Sequence, residues 1–177
     1  MNTVLGEYVA ERKVMSIINK EEIPADTSWK DTNPNWDAIE SDIVSKYGAL
    51  GEEVVWGQRM IYYMETEDWD NFGKYYALYF ERAGRHSSYH INNISWSVFE
   101  HVADPEVLKV AVKWMKYETE TLNKTPEALD TYANLLHKVG KTNEAIKCQE
   151  KAVAMAPGNS SLQETLEKMK RGERTWK

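Results

Sequence analysis

The 34 residues from Pro126 to Asn159, PEALDTYANLLHKVGKTNEAIKCQEKAVAMAPGN, limit the possible folds more than any other stretch of this chain. Apolar side chains recur at helical spacing on both sides of Gly140, which predicts two helices joined by a turn. Small residues stand at Ala133, Ala145 and Ala152, and large ones at Leu129, Tyr132, Leu136 and Ile146. Two helices of a hairpin approach closely only where small side chains meet at the crossing and large ones fill the flanks. Gly140 lets the chain reverse, and Pro157 cannot continue the second helix. One such hairpin cannot bury its apolar face alone, so the stretch calls for stacked neighbours.

The rest of the chain supplies candidates. A helix is expected near residues 3–19, another that starts after Asn33 and Pro34 and stops at Gly48, and a third from about Gly51 to Glu65. Asp68 reads as an N-cap and Gly84 as the matching C-cap. A helix with a serine start is expected in SSYHINNISWSVFEHV. Asp104-Pro105-Glu106 and Thr125-Pro126-Glu127 each combine a cap, a first-turn proline and an acid on the helix dipole. Ser161 and Glu164 suit a capping box for a final helix. No run alternates as a strand would. Gly57, Ser95 and Ala133 are small residues spaced 38 apart, and Gly73 and Ala111 repeat that spacing. The hairpins therefore behave as repeated units at about 51–84, 88–123 and 126–158, with a cap at about 159–171.

Residues 126–159 resemble the tetratricopeptide repeat (TPR) family, through Leu129, Ala133, Leu136, Gly140, Ala145, Ala152 and Pro157 at the family's spacing. Gln149 departs from the pattern, because the family usually has an aromatic there, and this predicts weaker packing at that point. The resemblance implies one all-α domain over 1–177, a right-handed solenoid of helix-turn-helix hairpins whose first helices line a concave groove. Carried over position by position, the groove would be lined by Val54, Gln58 and Ile61, then Asn92, Asn93, Trp96 and Phe99, then Glu127, Asp130, Asn134, His137 and Lys138. Of these, Gln58, Asn92, Asn93, Trp96, Asp130, Asn134 and His137 are the candidate partner-binding residues. Carboxylate-binding members of the family clamp a peptide end with lysines, and Asp130 stands where one such lysine would be. A second likeness covers 88–170, which is similar to the helical region following a thioredoxin-like domain in some Bacteroidetes envelope proteins. It implies an accessory module whose chemistry lies elsewhere, in the periplasm or cell envelope; without it the expectation is cytoplasmic.

Composition narrows the function classes. The net charge of −6 argues against nucleic acid, since phosphate binding needs a basic face. Residues 1–84 carry 16 acids and 8 bases, net −8, and residues 85–177 carry 12 acids and 14 bases, net +2. The longest apolar runs are a few residues, so membrane insertion is not expected. The opening MNTVLGEYVAERK lacks the basic start and apolar block of a signal peptide, which leaves the compartment open. One cysteine, Cys148, excludes an internal disulfide.

Chemistry-bearing residues are sparse. His86 and His90 are four apart, but Ser87 stands where a metalloprotease helix would carry glutamate, so polar surface is the expectation rather than metal. His101 and His137 each fall near a helix end, which favours partial positive charge. Cys148 reads as a packed thiol, and Glu118 with Glu120 as a solvated face. No nucleophile elbow, phosphate loop or dinucleotide glycine pattern is present. The 20 aromatics, from Tyr8 to Trp176 and including the tryptophans Trp29 and Trp176, are expected mainly in the core, with Phe72, Tyr76 and Phe80 recurring at helical spacing. Some are left over as anchors for a peptide or platforms for a sugar ring. The expectation is a non-enzymatic protein- or peptide-binding scaffold without cofactor or metal. A thioredoxin-associated module or a glycan-binding module are the alternatives, and exposed aromatics would let two chains pair as a homodimer.

Overall fold

The computed structural model describes residues 2–23 and 33–176; Trp29 lies outside them. Among these described residues eight α-helices follow in order: α1 (Asn2–Ile17), α2 (Trp36–Glu65), α3 (Trp69–Ala83), α4 (Ile91–His101), α5 (Pro105–Tyr117), α6 (Pro126–Lys138), α7 (Thr142–Met155) and α8 (Ser160–Lys170). No strand occurs among the described residues. None of the helices there is long and apolar enough to cross a membrane. The chain divides into two compact units, Met1–Arg82 and Ala83–Lys177. The charge asymmetry falls at the same place, so the first unit carries net −8 and the second +2.

In the first unit, α1 ends in a wide turn over Ile18–Glu22, and both pack on α2. Met15, Ile18, Ile23, Trp36, Ile43 and Val55 belong to one apolar cluster. The two helices expected on either side of Gly48 form α2, interrupted at Gly48, whose φ is +56°. Asp68 caps α3 as expected, accepting from the Asn71 amide at 3.2 Å. Phe72, Tyr76 and Phe80 are buried, and their rings run along α3 at centroid distances of 6.2 and 4.6 Å.

In the second unit α4 packs on α5, both pack on α6, α6 lies along α7, and α7 packs on α8. Asp104 and Thr125 cap α5 and α6 through the amides of Glu106 and Ala128, with Pro105 and Pro126 in the first turns. The small residues Ser95, Ala111, Ala133, Ala145 and Ala152 are all fully buried. Gly84 ends α3 with φ +52°, and a Cβ there would stand 2.9 Å from Trp114 Cη2.

Three local expectations are corrected. The cap of α8 is Asn159, not Ser161: its Oδ1 accepts from the Ser161 and Leu162 amides, because the helix begins two residues earlier than that capping box implies. The serines before α4 do not cap it. The helix starts at Ile91 after His90, and Ser87 Oγ instead accepts from the Tyr89 amide in a tight turn. Glu118 is buried rather than solvated. The chain leaves α5 in a wide turn over Glu118–Leu122, in which Asn123 donates its backbone amide to Glu118 O and its side-chain amide to Glu118 Oε1.

Candidate functional site

The spacing of Asp130, Asn134 and His137 puts them on one face of α6, one turn apart. This face is covered rather than open. Asn134 is 2% exposed and His137 is 7% exposed. The covering element at His137 is the segment that follows α8. His137 Nε2 lies 2.8 Å from the carbonyl oxygen of Glu173, and its Nδ1 lies 3.3 Å from Thr142 Oγ1. With Nε2 protonated the ring donates to the Glu173 carbonyl, and Nδ1 is left to accept from the Thr142 hydroxyl. The Trp176 indole meets the His137 ring edge-on at 5.7 Å.

Lys138 closes the arrangement. It was expected on an open face, yet it is half-buried and donates Nζ to the carbonyl of Phe99 on α4. The same ammonium lies 5.6 Å from the Phe99 ring centre and 5.9 Å from that of Trp176. Burial pushes its pKa down. Phe99 is buried and packs against the half-buried Trp96 at 5.0 Å. The structure thus assembles Trp96, Phe99, His137, Lys138 and Trp176 from α4, α6 and the segment after α8.

The other candidates take different places. Asp130 points to α7, where Gln149 Nε2 donates to its Oδ1 at 2.6 Å and to Leu162 O at 3.2 Å. Burial pushes the Asp130 carboxyl above its usual value, opposed by the Gln149 hydrogen bond. Asn134 donates to Asp130 O at 3.0 Å, while its buried Oδ1 has no partner among the described residues. Asn92 is half-buried, again with an unpartnered buried Oδ1, and Asn93 is exposed. Gln58 belongs to the first unit, where it donates to Asn19 Oδ1.

Sequence reasoning missed two groups. Glu173 and Trp176 lie beyond the last repeat-like unit, and no periodicity marks them. Arg59 is 8% exposed in the first unit. It pairs with Glu40 at 2.7 Å and Asp37 at 3.2 Å, and its guanidinium lies 4.3 Å from the Tyr75 ring centre. Glu40 also accepts from Trp56 Nε1 at 3.1 Å. These partners occupy the charge of Arg59 internally.

Nucleophilic and metal chemistry find little material. Cys148 is buried, donates to Leu129 O at 3.4 Å, and burial raises its pKa to about 11. Such a thiol is not ionised near neutrality. Among the described residues no three His, Cys, Asp or Glu side chains gather as a metal-ligand set. Comparison with protein-family models, curated proteins and solved structures finds no match to this chain.

Proposed function

We propose that the chain is a non-enzymatic scaffold that binds an extended protein segment on the α4–α6 face of its second unit, within a TPR-like array of hairpins. One observation carries this reading: a segment of the chain itself lies on that face. Its backbone is held through Glu173 O by His137, and its Trp176 side chain is held between His137 and Lys138. A surface that holds one extended segment by a carbonyl and an aromatic has the chemistry to hold another. Preformed helices keep the ordering cost of such binding low.

The ligand chemistry favours internal segments over free carboxyl ends. Asp130 lies on the same helix face as His137, and burying a terminal carboxylate there would need converging cations. The amides of Asn92 and Asn93 suit neutral backbone, since each both donates and accepts, while Asn134 offers its unpartnered Oδ1 as an acceptor. A peptide array with free and amidated C-termini tests the reading. Internal or amidated segments should bind, and Trp96→Ala should weaken them. Binding that is lost on amidation, or no binding across the array, would overturn it.

A further inference from the structure

The segment on the α6 face is imperfectly matched to it. Its carbonyl at Glu173 and its indole at Trp176 are engaged. Yet Asn134 Oδ1, one turn before His137 on the same helix, is buried with no donor among the described residues. Thr175 Oγ1, between the two engaged residues, is also buried without a partner there. A buried acceptor left unpaired costs free energy comparable to a lost hydrogen bond. The indole is held by contacts that tolerate exchange: an edge-on imidazole, the Lys138 ammonium, and Arg174 of the segment itself at 5.9 Å. Trp176 remains half-exposed.

We propose that residues 173–176 are a resident stand-in for the partner, and that the partner is an extended segment whose tryptophan replaces Trp176 against His137 and Lys138. This rests on the scaffold reading above and adds both the partner's chemistry and a control on access. The partner's carbonyl, two or three residues before its tryptophan, takes the place of Glu173 O on His137. A donor from the partner to Asn134 Oδ1 gives it an advantage the resident segment lacks. The tethered segment competes at an effective concentration on the order of millimolar. Foreign segments therefore bind weakly until they satisfy that extra acceptor or the resident indole is removed.

The test uses a doubly blocked peptide, RGERTW, matching residues 171–176, with a fluorescent label for anisotropy. It should bind the Trp176→Ala protein at least about tenfold more tightly than wild type, the margin expected when a tethered competitor is lost. A peptide with alanine in place of its tryptophan should lose that binding. Equal affinity for both proteins, or for both peptides, would overturn the proposal. Should Trp176→Ala fail to fold, 5-fluorotryptophan-labelled wild type serves instead, with the Trp176 resonance assigned from Trp176→Phe. Adding RGERTW at about 5 mM, near the tethered concentration, should move that resonance toward a solvent-exposed position; an unmoved resonance would overturn the proposal. Array segments that bind wild type without moving it would leave the scaffold standing and remove this inference. An array without binders, together with tight RGERTW binding to Trp176→Ala, would do the reverse. Sedimentation showing a dimer that Trp176→Ala dissolves would assign the segment to a second copy and also overturn the proposal.

Discussion

Gln149 reaches from α7 to Asp130 on α6, donating its side-chain amide to the carboxylate at 2.6 Å while none of Gln149 is exposed to solvent. The same amide ties Leu162 O at the start of α8. A glutamine where an aromatic was expected is thus a junction of three helices. It still leaves Oε1 without a partner among the described residues. Because burial raises the Asp130 pKa, the folded state holds that proton more tightly than the unfolded chain does. This contribution to stability is present at low pH and is lost as pH rises from the ordinary carboxylate value through the raised folded value. Asp130→Asn keeps an acceptor for Gln149 and removes the titration. Relative to this variant, wild type should gain stability as pH falls from neutral toward about 4, the ordinary carboxylate value, in urea melts. A wild type that loses ground on acidification would contradict the assignment.

Gly84 and Gly140 offer a matched pair of substitutions to alanine within the second unit. Both have positive φ, +52° and +83°, but only at Gly84 would a new Cβ meet a neighbour, Trp114. Left-handed backbone costs a side-chain-bearing residue about 1–2 kcal/mol. Gly140→Ala should cost about that much, and Gly84→Ala should add an overpacking term of about 1–3 kcal/mol. Denaturant midpoints for the two variants decide it, and equal losses would show that Trp114 yields freely.

Arg59 should be hard to replace. Its pair with Glu40 and its place over Tyr75 are largely shielded from water, whereas Asp37 is exposed and adds little. Removing one partner of a buried pair typically costs about 3–5 kcal/mol. Arg59→Ala should fall toward the lower end of that range, since Glu40 keeps its bond from Trp56. Arg59→Lys should recover only part, because an ammonium cannot both fork to two carboxylates and stack on a ring. Loss of near-ultraviolet circular dichroism, followed through thermal melts, reports the change. An alanine variant as stable as wild type would remove the cluster from the account of the first unit.

The Cys148 thiol, with its pKa raised to about 11 and its proton directed at Leu129 O, should react slowly with a disulfide reagent in the native protein. Reaction should speed up by orders of magnitude in denaturant. Rapid native labelling would mean that the α6–α7 junction opens readily.

Local chemistry along the chain determined where the helices lie. The caps at Asp68, Asp104 and Thr125, the break at Gly48 and the stop at Gly84 are short-range steric and hydrogen-bonding constraints, so each could be read from a few adjacent residues. The buried alanines of α6 and α7 were legible for a related reason: close helix packing leaves a periodic mark. Only the tertiary structure decided what covers the polar face of α6. Nothing local to Asn134 or His137 indicates burial, and nothing local to Trp176 indicates a docking place, because their contact joins residues about 40 positions apart. Gln149 is the same case: taken alone it looked like a flaw in the packing, and only Asp130 and Leu162, brought from two other helices, give its amide partners. Periodicity records which face of a helix avoids water; it carries no record of which distant side chain excludes that water.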